Sequence, residues 1–162
     1  MSDPVLEHLE ALGVDYEVVA CDPDLADTAE FCQAYGYSPS ESVNAIVVVG
    51  KTSPPKHVMC LVLADSRLDV NRVVRKRLGA RKASFASAEQ TIELTGHEIG
   101  GVGPFGTTTE MPLWVDARLM DLDRIILGGG GRDRKLLIAP EGLTAYPLTE
   151  VVDGLALPIG DQ

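Results

Sequence analysis

Lysine and arginine are missing from the first fifty residues of this chain, which carry ten acids. With 24 acids and 14 bases in all, the remainder is balanced at fourteen of each. The net charge of −10 therefore belongs to one end of the molecule. Cysteine is scarce: Cys21, Cys32 and Cys60 are an odd number at wide spacings, which fits neither a disulfide framework nor a paired metal motif. They read as small apolar fillers, and no metal is expected. No apolar run approaches the roughly 20 residues of a membrane helix, and MSDPVLEHLE lacks the basic start and apolar centre of a signal peptide. A cytoplasmic protein without a membrane partner is expected. No internal repeat or low-complexity segment is evident either.

The 162 residues, 45% of them hydrophobic, suffice for one domain with a proper core, and a single domain over 1–162 is expected. Asp3 and Pro4 read as cap and first position of a helix whose Val5, Leu6, Leu9 and Leu12 recur at helical spacing up to Gly13. Tyr16 to Ala20 reads as a strand, and Thr28 as the cap of a helix ending near Gly36. Val43 to Val49 and His57 to Leu63 are apolar, β-branched runs joined by GKTSPPK, a hairpin at the sheet's centre. Asp69 caps a helix with Val70, Val73, Val74 and Leu78 on its buried stripe. Lys82 to Ala86 is a short strand, and Ser87 with Gln90 forms a capping box for a helix through Thr95. Leu113–Val115, Ile125–Leu127 and Leu136–Ile138 are further strands, followed by a short helix near Pro140 to Tyr146 and a strand near Val151. Helices and strands mix without regular alternation. The expected fold is α+β, with a mixed, strongly curved, barrel-like sheet flanked by helices.

Between helix and strand lies TGHEIGGVGPFGTTTEMP, Thr95 to Pro112, with five glycines and two prolines. Glycine costs backbone entropy and proline lacks a donor, so this run is a shaped loop. Two readings stay open: a tight crossover packed on a neighbouring element, or a main chain left bare so that a ligand can approach its N–H groups. Gly101, Gly103 and Gly106 spell G-x-G-x-x-G, but Pro104 and TTTEMP give no helix for a pyrophosphate. Gly50, Lys51 and Thr52 read G-K-T, yet Ala45 stands where a phosphate loop needs its first glycine. No Ser-His-Asp set stands out. A second glycine-rich turn, GGGGRDRK, joins the later strands. Arg67, Arg72, Arg75, Lys76, Arg77, Arg81 and Lys82 put half of all bases into one short segment. Such a face can meet a phosphate backbone or simply be a solvated helix face.

Four pieces in order, SRLDVNRVVRKRLG after the hairpin, LTGHEIGGVGPFG, PLWVD and the glycine turn before KLLIAPEGL, resemble the family of YbaK and the prolyl-tRNA-synthetase-associated editing domain. The resemblance runs from about Val5 to Val152. It implies an aminoacyl-tRNA deacylase, a hydrolase that cleaves in trans the ester between a wrong amino acid and the terminal adenosine of tRNA. It also implies no cofactor, a tRNA 3′ end as partner, and leaves room for a synthetase partner. The family's G-x-x-x-P segment falls on Gly100, Gly101, Val102, Gly103 and Pro104, whose bare N–H groups would stabilise the charge that ester hydrolysis builds on the carbonyl oxygen. A positioned water and the substrate's ribose hydroxyl would supply nucleophile and proton relay. Gly129, Gly130, Asp116 and His97 are the candidate substrate-binding residues, and Arg72, Arg75 and Lys76 the candidate tRNA contacts.

One departure stands out. The family usually places a lysine in a pattern like V-K-S-L-V early in the first hairpin strand, where ESVNAIVVV has Asn44. That lysine is thought to hold the ribose-phosphate end of the substrate. Lys51 lies about 23 Å along an extended strand, so Arg132 or Arg134 of the second glycine turn is the expected replacement. A catalytically silent binding module for aminoacyl-tRNA, a nucleotide or a partner protein is the competing expectation. His8, His57 and His97 read as structural or exposed, and Phe31, Ile46 and Leu61 as core.

Overall fold

A computed structural model of the chain describes residues 3–159; the outermost positions of the expected 1–162 domain lie outside them. Helix α1 (Pro4–Leu12) begins where expected: the Asp3 side chain accepts the Leu6 N–H, and Gly13 ends it in the left-handed region. Strand β1 (Glu17–Ala20) leads through a 3-10 turn (Pro23–Leu25) to α2 (Thr28–Tyr35). The N-cap of α2 is Asp27, one residue before the expected Thr28, and its carboxylate makes no capping bond. Both side chains are engaged elsewhere, as described below.

The hairpin is formed by β2 (Val43–Gly50) and β3 (Lys56–Leu63), paired antiparallel along their full length. Its two faces are both buried, which the unbroken apolar run in β3 requires. Val47, Met59, Leu61 and Leu63 face the core that holds Leu9, Phe105, Leu127 and Leu136. Val48, Val58, Cys60 and Val62 face a second core with Val74, Leu78, Trp114 and Leu155. Each fully buried large apolar side chain contributes about 1.5–3 kcal/mol, so this central strand anchors both layers.

Three residues, Ser66–Leu68, form β4, which the sequence pattern did not reveal because the run is so short. Asp69 then accepts the Arg72 N–H, but the first turn, Val70–Val74, is π-helical before α3 (Arg75–Leu78) continues. Strand β5 (Ala83–Phe85) joins the free side of β2. Helix α4 (Ala88–Thr95) carries the expected capping box of Ser87 and Gln90. After the glycine loop come β6 (Leu113–Asp116), β7 (Ile125–Gly128), β8 (Arg134–Ile138), β9 (Thr149–Val152) and β10 (Ala156–Pro158).

The main sheet has the order β5-β2-β3-β6-β9, antiparallel up to β3 and parallel beyond it. A second sheet, β1-β8-β7, meets it through one parallel bridge between Ser42 and Ile126, and β10 pairs with β4. The fold is the α+β arrangement with a mixed sheet that the sequence indicates. Among the described residues the ladders do not close into a continuous barrel, and the place where they stay open is the site.

Candidate active site

Strand β2 loses its neighbour halfway along. β5 pairs with it from Val48 to Gly50, and the Ala86 N–H adds one bond to the Val47 carbonyl at 2.8 Å. On the other side of the break, β7 is paired only through the Ser42–Ile126 bridge, with the Ile126 N–H donating to the Glu41 carbonyl at 3.0 Å. The Ala64 N–H donates to the Ser42 carbonyl, and antiparallel alternation then turns the N–H and C=O of Ala45 away from β3. No strand ladder forms on that side of Ala45 among the described residues. The break opens into a cavity of about 340 Å³, walled by Thr28, Asn44, Ala86, Val102, Gly128 and Lys135 among others.

The glycine loop contributes Gly100 and Val102 to this wall. Their N–H groups make no hydrogen bond among the described residues, whereas Gly101 donates to the Glu98 carbonyl at 2.8 Å and Gly103 to His97 Nδ1 at 3.1 Å. Gly101, Gly103 and Pro104 are buried behind the wall. A β-carbon on Gly101 would fall on the Gly131 carbonyl, and one on Gly103 on the Gly128 carbonyl. The two glycine segments are thus packed main chain to main chain, and the Gly130 N–H joins them by donating to the Gly101 carbonyl at 2.7 Å. Crossover packing accounts for Gly101 and Gly103, whereas Gly100 and Val102 keep unpaired N–H groups on the cavity wall among the described residues.

His97 belongs to the packing. It is buried, outside the cavity wall, and burial lowers its pKa, which keeps the imidazole neutral and Nδ1 free to accept from Gly103. His8 does the same from the other side, accepting the Gly106 N–H at 2.9 Å while lying edge-on to Phe105 and Tyr146. Gly129 and Gly130 also sit outside the wall; Gly129 offers its carbonyl to Arg134, and Gly130 packs on Val5 and His97. Their neighbour Gly128 is the wall residue. Asp116 ends β6, on the far side of β3 from the cavity, with no well-formed hydrogen bond to either carboxylate oxygen among the described residues. Burial raises its pKa above the ordinary carboxylate range.

The expected replacement for the missing charge is elsewhere. Arg132 donates to the Pro23 carbonyl, to Asp27 and to the Ile99 carbonyl, latching the loop to the start of α2. Arg134 is forked onto Asp3 at 2.6 and 2.9 Å. Neither lines the cavity. The next residue, Lys135, does: it is 7% exposed, and its ammonium donates to the carbonyls of Ala26 and Gly100, each at 2.6 Å. Burial lowers its pKa, with Asp27 opposing that effect. Sequence reading missed it because KLLI after a glycine turn reads as the start of a buried strand; a lysine inside such a run was the signal. Asn44 faces the same cavity and is oriented by the Thr28 hydroxyl, which donates to its Oδ1 at 2.7 Å. Phe31 lies in the core as expected, with Lys135 Nζ 5.5 Å from its ring centroid.

Arg72, Arg75 and Lys76 line a separate open groove together with Lys51, Arg81 and Lys82. Six cations thus share one concave surface. Groove and cavity are connected through β5: Lys82 precedes it in the groove, Ala86 follows it in the cavity wall, and Phe85 between them is 59% exposed.

Comparison with known proteins points one way. Residues 22–146, more than half of the chain, match the aminoacyl-tRNA editing domain family. The chain is 24% identical to the uncharacterized protein YwhH of Bacillus subtilis (strain 168) over 91% of each. It is 29% identical to the multifunctional Ser/Thr-tRNA deacylase ProXp-y of Escherichia coli (strain K12), over 51% of this chain and 50% of that one. A crystal structure of a candidate trans-editing enzyme for prolyl-tRNA synthetase superposes with a TM-score of 0.81 at 28% identity, covering 97% of this chain and 96% of that one.

Proposed function

The chain belongs to the aminoacyl-tRNA editing domain family, and on that premise we propose that it hydrolyses mischarged tRNA in trans. The observation that carries this reading is a cavity that presents main-chain donors and holds no side-chain nucleophile paired with a base. Thr28 donates its hydroxyl proton to Asn44 and Thr91 donates its own to the Ser87 carbonyl, so neither is paired with a base. No histidine or cysteine lines the wall. Water is then the nucleophile. Its oxygen attacks the ester carbon, the carbon–oxygen bond to the ribose breaks, and the water's proton passes to the ribose oxygen. A free amino acid and an intact tRNA leave.

Gly100 and Val102 present the N–H groups that would hold the oxyanion, and the neighbouring ribose hydroxyl would relay the proton. Asp27, a carboxylate on the cavity wall, suits the substrate's α-ammonium. An acceptor end laid along β5 would rest its phosphates in the groove of Arg72, Arg75 and Lys76, stack a base on Phe85 and send its terminus into the cavity.

Hydrolysis of a panel of mischarged tRNAs by the purified protein, against a buffer blank, tests this. Turnover of at least one is expected. A second reading, a binding module without turnover, is favoured by one observation, Asn44 in place of the family's usual lysine. Tight binding of aminoacyl-tRNA with no hydrolysis across the panel would select it.

A further inference from the structure

We infer that Lys135 reads the side chain of the aminoacyl group, selecting a small side chain that ends in a hydrogen-bond acceptor over an alkyl group of the same shape. The inference rests on the reading above that the cavity takes the aminoacyl end of tRNA, and not on its hydrolysis. An ammonium has three donors, and two of Lys135's go to the carbonyls of Ala26 and Gly100. The third has no acceptor among the described residues, and no carboxylate is hydrogen-bonded to the group. Facing it are Asp27, Cys21, Cys32 and Arg132. Asp27 is itself bonded to Arg132.

Position decides which part of a substrate meets that donor. In an aminoacylated 3′ end the phosphate is where the polynucleotide continues, so it must stay near the mouth. The aminoacyl group is the terminus and can enter fully. Its α-ammonium is repelled by Lys135 and drawn to Asp27, whose side chain is 64% exposed and therefore lies at the mouth. The side chain is left to point inward.

Lys135 borders both the main cavity and an inner recess of about 10 Å³ lined by Phe31, Ser42, Ile126 and Leu127. That is room for about one water-sized group. A hydroxyl fits it by size. The Thr28 proton is committed to Asn44, so the Thr28 oxygen remains an acceptor for the proton of such a hydroxyl. A methyl group there would cover the third ammonium proton without bonding it, and a site built for a hydrogen bond rejects the analogue that lacks it.

The test uses non-hydrolysable adenosine carrying threonine or valine through a 3′-amide, two side chains of nearly equal shape. The wild type is expected to bind the threonyl compound at least about tenfold more tightly. Lys135→Met, shown folded by its melting curve, is expected to bring the ratio close to one. Equal binding of the two compounds by the wild type overturns the inference. So does a Lys135→Met variant that weakens both equally, because the lysine would then serve the shared reacting centre. If Lys135→Met fails to fold, the wild-type ratio of threonine to valine release from the two charged tRNAs decides instead. A threonyl preference in binding without hydrolysis of any charged tRNA would sink the catalytic reading and leave this one standing.

Discussion

Arg134 and Lys135 are consecutive in β8 and leave it on opposite sides: Arg134 closes a two-bond fork on Asp3, and Lys135 reaches the Gly100 carbonyl at 2.6 Å. The period of two along a strand divides their work. One cation ties the N-terminal helix to the second glycine segment, and the other equips the cavity.

The Asp3 fork has a pH signature. Arg134 holds the Asp3 carboxyl down at about 2. Because this lies below the roughly 3.9 of an unfolded aspartate, the stabilisation is complete above about pH 4 and is lost as pH falls towards 2. Asp3→Asn should lower stability at pH 7 by about 0.5–1 kcal/mol, a modest figure because the pair is partly exposed. Urea unfolding at pH 7 and pH 2.5 should show the deficit at the first and little of it at the second.

Glycines with the same residue type should behave differently. Gly103→Ala forces a β-carbon onto the Gly128 carbonyl, and a loss of about 2 kcal/mol or more is expected. Gly13→Ala meets nothing within 4 Å and suffers only from its positive φ, so about 1 kcal/mol is expected. Thermal melting of the two variants checks the order. A larger loss at Gly13 would contradict main-chain packing as the reason for the loop's glycines.

The groove should act through charge alone. Arg72→Ala, Lys76→Ala and Lys82→Ala are each expected to weaken tRNA binding and to reduce the slope of log affinity against log salt by about one. The hydrolysis rate at saturating substrate should stay unchanged. Titrations at several salt concentrations separate this from a role in the cavity. Arg75 is a poorer probe, since it also holds the carbonyls of Asn71 and Ala80.

Lys135 should give the threonyl preference an alkaline limit. Burial lowers its pKa, and the third donor exists only while the group is charged. The preference is therefore present at neutral pH and expected to fade as pH rises through a value below that of an ordinary lysine. Binding of the two amide compounds between pH 7 and 10 would show it. A preference that grows with pH would point instead to the amine acting as a base.

Local signals in the sequence found most of the scaffold. Asp3, Ser87 with Gln90 and the left-handed glycines Gly13, Gly79 and Gly96 mark helix ends by chemistry confined to a few residues. The helix after Asp69 was legible, its π-helical start was not, because a widened first turn leaves the apolar spacing almost unchanged. Thr28 was read as a cap, but a cavity hydrogen bond to Asn44 claims its hydroxyl. The division of the glycine loop between packing and cavity depends on Gly128 and Gly131, remote in sequence. Lys135 could not be placed from sequence either, since only the fold shows which side of β8 meets the loop.

The break beside Ala45 also bears on solubility. An uncovered strand edge invites extended chains to add to it, in aggregation as in peptide binding. Here the uncovered length is short, bounded by the Ser42 bridge on one side and the Val47 bond on the other. So short a stretch gives an added strand too few groups to pair with, and the gap beside the cavity is a poor template for another copy of the chain.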